Sequence, residues 1–133
     1  MKVEAIPLQE LVNRLISADP LAANYGKKIR NEIPAELIVL ADENMLAYVL
    51  WNLISSAANN IDDEPIQIEA LRMEDRTIIR IKDVGTYFYH TISQEYRKVQ
   101  YVAEKLGGSV SIDHDTHHGA NASFIISNRL LVA

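Results

Sequence analysis

DENMLAYVLWNLISSAANN, residues Asp42 to Asn60, is the stretch on which the fold turns. Asp42 is a good helix N-cap, because its side-chain oxygens can accept from the open N–H groups of a first turn. Glu43 suits the positive end of the helix dipole. Behind the cap, Met45, Leu46, Val49, Leu50, Leu53, Ile54 and Ala57 recur at helical spacing and form one broad apolar face. Asn52, Ser56 and Asn59 or Asn60 recur every three to four residues, so they form a polar stripe on the same helix. Trp51 lies near the border of the apolar face, where a core or subunit contact is the default. The helix is expected to stop near Asp62-Asp63-Glu64-Pro65, because proline disfavours a helical residue before it.

On the N-terminal side, Leu8, Leu11, Val12, Leu15 and Ile16 predict a first helix after Pro7. Asp19-Pro20 can open a short second helix, with Asp19 as cap and Gly26 as its end. Two short strands follow, Lys28–Glu32 and Leu37–Ala41, joined around Pro34. On the C-terminal side, Ile66, Ile68 and Ala70 alternate with polar residues, turn near Glu74-Asp75-Arg76, and return through Ile79 and Ile81. Thr86 to Ile92 is β-prone and aromatic, and Tyr87, Phe88 and Tyr89 read as packing residues. A third helix from about Ser93 to Leu106 ends at Gly107-Gly108. Ser109–Asp113 and Ala122–Asn128 form a final hairpin around a loop from His114 to Asn121. Helices and hairpins with little strand–helix–strand alternation imply an α+β fold: a two-layer sandwich, with a mixed or antiparallel sheet covered on one face by helices. With 133 residues and no linker or repeat, the chain reads as a single domain, 1–133.

Composition narrows the function. A net charge of −5 argues against nucleic acid and against direct contact with an anionic membrane, both of which want a basic face. The absence of cysteine removes disulfides, thiolate metal sites and a cysteine nucleophile. No apolar run approaches the ~20 residues that span a bilayer, and Met1 to Pro7 carries no signal-peptide pattern. The expected location is cytoplasmic, or the cytoplasmic portion of a larger sensor protein.

In order and spacing, these elements resemble the ATPase domain shared by sensor histidine kinases, gyrases and chaperones, over most of the chain from about Pro7. Asn52-Leu53-Ile54-Ser55-Ser56-Ala57 is similar to the family's Asn-Leu-x-x-Asn-Ala box, with Ser56 where the magnesium-coordinating asparagine would stand. Asp83-Val84-Gly85 resembles the start of Asp-x-Gly-x-Gly, whose aspartate contacts the adenine amino group, but Tyr87 takes the second glycine's place. Val99 to Ile112, VQYVAEKLGGSVSI, looks like the family's final helix and its Gly-Gly exit. The phosphate-cradling Gly-x-Gly that begins that helix is replaced by Ser93 and Glu95. Gly119-Ala120-Asn121-Ala122 is similar to the last glycine box.

The resemblance implies a remnant nucleotide pocket of Asn52, Ser56, Asp83, Gly85 and Gly119. Its departures gather at the positions that would touch phosphate and metal. The expectation is therefore a degenerate histidine-kinase ATPase-like domain in two-component signalling, with no cofactor, acting on a protein partner such as a kinase dimerisation domain or response regulator. The alternative is an active ATP-binding catalytic domain that holds Mg-ATP, with Asn52 positioning metal or water and Ser56 as a metal ligand. A third is a phosphotransfer or anti-sigma-like binding module. Each residue also has a plainer reading: a solvated stripe for Asn52 and Ser56, and a turn carboxylate for Asp83. His114, His117 and His118, beside Asp113 and Asp115, are zinc or nickel ligand types, but a loop without set ligand geometry reads first as polar. His90 lacks the acidic neighbour of a phospho-acceptor histidine.

Overall fold

Asp42 caps its helix as the sequence requires. In a computed structural model, which describes residues 1–18, 29–58, 66–82, 95–115 and 119–127, Asp42 Oδ1 accepts from the Met45 N–H at 3.0 Å. Oδ2 accepts from the Lys2 N–H at 2.8 Å. These bonds, the one from Lys2 foremost, hold the Asp42 carboxyl below its ordinary range. The elements run β1 (Val3–Pro7), α1 (Leu8–Ala18), β2 (Ile29–Asn31), β3 (Ile38–Asp42), α2 (Glu43–Ala58), β4 (Ile66–Met73), β5 (Arg76–Lys82), α3 (Tyr96–Lys105), β6 (Ser109–Asp115) and β7 (Gly119–Ser127).

Five strands form one mixed sheet in the order β2-β4-β5-β7-β6, and β1 and β3 form a separate antiparallel ribbon. Alternation sets the sheet's two faces. Ile68 pairs with Ile81, Ile79 with Phe124, and Val110 with Phe124, and all five side chains are buried. They share one core with Leu46, Val49, Leu50, Leu53 and Ile54 of α2. A fully buried Leu, Val or Ile contributes about 1.5–3 kcal/mol, so this face, more than helix propensity, holds α2 in place. α2 packs against both α1 and α3. The expected α+β sandwich, helices on one face of a mixed sheet, is the fold observed.

Several local expectations need correction. The two strands expected on either side of Pro34 are present, Ile29–Asn31 and Ile38–Asp42, and they belong to different sheets. β2 runs parallel to β4, continued by the Glu32 N–H donating to the Ile68 carbonyl at 2.8 Å. β3 instead pairs with β1, an element with no local signature. Pro34 and the bond from the Leu37 N–H to its carbonyl, 3.2 Å, turn the chain between the two. α3 begins at Tyr96, after Glu95 as N-cap, later than Ser93. β6 and β7 extend through Asp115 and from Gly119, so His114 and Asp115, and Gly119 to Asn121, belong to strands and not to a loop: the antiparallel ladder continues from Asp113 to the Asp115–Gly119 pair. The helix expected from Asp19 to Gly26, the stop at Asp62–Pro65, and Tyr87, Phe88, Tyr89 and His90 lie outside the described residues.

Side-chain bonds fasten the helices to the sheet. Asn31 Nδ2 donates to the Gln9 carbonyl at 3.1 Å and to Asn13 Oδ1 at 2.8 Å, joining β2 to α1. β6 is a sheet edge, with backbone groups that lack a strand neighbour on one side. Gln100 of α3 covers that edge. Its Oε1 accepts from the Val110 N–H at 2.8 Å, its Nε2 donates to the Val110 carbonyl at 3.0 Å, and the Tyr96 hydroxyl donates to the same carbonyl at 3.0 Å.

Candidate functional site

The polar stripe of α2 is where the sequence placed it, but it is not a solvated face. Ser56 is only 7% exposed, and it already has a bonding partner. Asn52, one turn earlier, is half-buried, and its Nδ2 donates to the Tyr48 carbonyl at 2.8 Å. That bond points the amide nitrogen back along the helix. Trp51 is half-buried, as its border position suggested. Asn59 and Asn60 lie outside the described residues.

α3 packs against α2, the helix that carries this stripe, and its N-cap is Glu95. Glu95 is an exposed N-cap residue whose side chain makes no capping bond. The other end of α3 is tightly specified. Gly107, at φ 76°, donates to the Glu104 carbonyl at 2.9 Å, and Gly108 donates to the Ala103 carbonyl at 2.9 Å. This pair of bonds is the glycine-terminated helix exit that the sequence predicted. A Cβ on Gly108 would stand 1.7 Å from the Ile125 carbonyl oxygen of β7. No side chain fits there.

Gly119 opens β7 opposite Asp115. β5 ends at Lys82, one residue before Asp83, and its Ile81 pairs with Ala122 of β7. The end of β5 and the start of β7 therefore share one end of the sheet. Asp83 and Gly85 lie outside the described residues, so the structure brings Asn52 and Ser56 together and sets Gly119 at that sheet end. A groove of ≈ 300 Å³ opens elsewhere, on the outer face of β4 and β5, lined by Glu69, Leu71, Met73, Ile78 and Arg80 among others. It faces away from α2. Among the described residues no cluster of three or more His, Asp or Glu could hold a metal ion. His117 and His118 lie outside them.

No family model and no curated protein matches the sequence. Solved structures do. The catalytic domain of the histidine kinase ThkA superposes over 96% of this chain and 97% of its own, at 18% identity and a TM-score of 0.71. The ATP-binding domain of PrrB from Mycobacterium tuberculosis covers 96% of this chain and 98% of its own, at 17% identity and a TM-score of 0.69. The Acinetobacter baumannii histidine kinase AdeS matches 96% of this chain over 68% of its own, at 16% identity and a TM-score of 0.76. The chain has the fold of a histidine-kinase ATP-binding domain.

Among the described residues, no helix is long and apolar enough to cross a membrane. Sequence reading missed one group of this fold, the Gln100–Tyr96 clamp on Val110. The available signal was a polar residue among Tyr96, Val99 and Ala103 on the inward face of an amphipathic helix.

Proposed function

We propose that the protein is a degenerate histidine-kinase ATPase-like domain of two-component signalling, which works through protein contacts on the cytoplasmic side and binds little or no Mg-ATP. The observation that carries this reading is Glu95 at the N-cap of α3. In the family that this chain resembles, the start of this helix cradles phosphate with glycine amides. The positive end of a helix favours an anion. Glu95 supplies one from the chain itself, and a polyphosphate brought there would meet its charge. Ser56 supports the same reading. A hydroxyl can ligate magnesium, but this serine is buried. Asn52 retains the family's place and is the residue that favours the second reading, an active domain with divergent motifs. On the proposal, Asn52, Ser56, Asp83, Gly85 and Gly119 mark a remnant pocket, and the partner is a kinase dimerisation domain or a response regulator.

Thermal unfolding with nucleotide tests the proposal. A ligand with a Kd of about 10 μM, present at about 1 mM, stabilises a protein by roughly 2.7 kcal/mol. The melting temperature is expected to stay the same with Mg-ATP as with magnesium alone. A rise with Mg-ATP that EDTA reverses would establish the active reading.

A further inference from the structure

We propose that the outward face of α3 is the docking surface for an acidic segment of a partner protein. The inward face is fixed by Val99 and Ala103 in the core and by Gln100 on β6. The opposite arc carries Arg97, Tyr101 and Lys105 at successive four-residue steps, with Lys98 beside them, and all are exposed. Tyr101 is the centre of this arc and is 59% exposed. Lys105 Nζ stands 4.7 Å from the centroid of its ring, which holds a cation against an aromatic face.

Charge chooses the occupant. The chain as a whole is net −5, yet this arc gathers Arg97, Lys98 and Lys105, and none of them makes an ion pair with another described residue. Glu104, three residues past Tyr101 as Lys98 is three before it, is an exposed carboxylate beside the arc. Exposed Glu95 lies at the start of the helix, so the cations outnumber the carboxylate along the arc three to one. Several cations elsewhere are ion-paired, as Arg14 is with Glu43 at 2.9 Å and Lys82 with Glu69 at 3.2 Å. Tyrosine and arginine are the residue types that most often carry binding energy at interfaces, and complementary charge fixes the register. A partner segment with an apolar side chain on Tyr101 and carboxylates toward the flanking cations satisfies both. Nucleic acid fits less well, because its affinity comes from neutralising phosphates along an extended basic surface, and this arc offers three cations on a chain of net charge −5.

This inference rests on the reading that the chain works through protein contacts. The probe is a short fluorescent helical peptide whose apolar stripe is flanked by glutamates, with a matched glutamine peptide, titrated against the full chain. Binding of the glutamate peptide is expected to weaken with added salt and to shift the amide resonances of Arg97 to Lys105. The affinity is expected to fall about tenfold or more for Tyr101→Ala and for the double variant Arg97→Glu with Lys105→Glu, and to survive in Tyr101→Phe. Unchanged melting temperatures would confirm that the variants are folded, as substitutions of exposed residues should be. Equal binding of the two peptides, unchanged binding by the variants, or equally tight binding of a DNA duplex or of phosphatidylglycerol vesicles at this face would overturn the proposal. Mg-ATP binding by the wild type would sink the degenerate reading and leave the peptide result where it stands.

Discussion

At the exit of α3, Gly108 has a backbone carbonyl of β7 where its Cβ would be. On α2, Ser56 is buried while Gly108 is only half-buried, so it is backbone approach and not depth that sets Gly108 apart. Both stretches resemble boxes of one family. The exit keeps both glycines, and the helix box departs at Ser56. The difference separates two kinds of constraint. A glycine demanded by backbone collision is required for folding whatever the domain does. On the proposed reading, a residue whose work would be to hold a metal is required only while a metal is bound, so the position of Ser56 is free to differ.

The comparison can be broken first at its stronger pole. Gly108→Ala forces either β7 or the end of α3 to move, and overpacking against backbone is expected to lower stability by about 3 kcal/mol in chemical denaturation. A loss below about 0.5 kcal/mol, the range of ordinary surface changes, would show that the exit is not rigid. Gln100→Ala comes next. It strips the Val110 N–H of its acceptor and leaves the edge of β6 open, with an expected loss of about 2 kcal/mol. Ser56→Ala is expected to cost about 1 kcal/mol, the ordinary net worth of one hydrogen bond. A loss as large as that of Gly108→Ala would place Ser56 among the folding constraints and erase the contrast.

The smallest effect concerns Asp42, the cap that starts α2. Its carboxyl is held below the ordinary range by the Lys2 and Met45 N–H groups. The stability this contributes is fully present above the unfolded-state value, about 3.9 for aspartate. It is lost as pH falls through the lower folded value. Asp42→Asn, measured by thermal unfolding from neutral to acid pH, is expected to be less stable than wild type at neutrality. The gap should close as pH drops below about 4. A gap that widens in acid would contradict the cap.

How much of this was legible in the sequence follows from how local each signal is. α2 could be read because one cap and one apolar period lie within the same short stretch, and the β4–β5 hairpin because its alternation and turn are contiguous. The Gly107-Gly108 exit was legible for the same reason. β1 was not, because Val3–Pro7 gains its partner only from β3, far along the chain. The parallel pairing of β2 with β4 was hidden likewise. The turn expected near Glu74-Asp75-Arg76 is where the chain reverses, with Glu74 at φ 43°. In the site, helical period placed Asn52 and Ser56 on one stripe, but it could not tell that the stripe is covered, since burial depends on what packs across from it.

Titration calorimetry of the wild-type chain with Mg-ATP, run beside the double variant Ser56→Asn with Tyr87→Gly, tests the central claim most directly. Glu95, and the length of the span from Thr86 to Gln94 that precedes it, are the same in both proteins. That span reaches at most about 30 Å when fully extended, which leaves little chain to fold over a triphosphate. The account predicts no saturable heat from either protein up to about 1 mM nucleotide, where a site with a Kd of about 10 μM would be almost full. Saturable, EDTA-sensitive binding of Mg-ATP by the wild type at micromolar concentration would contradict it and return the chain to the active kinases.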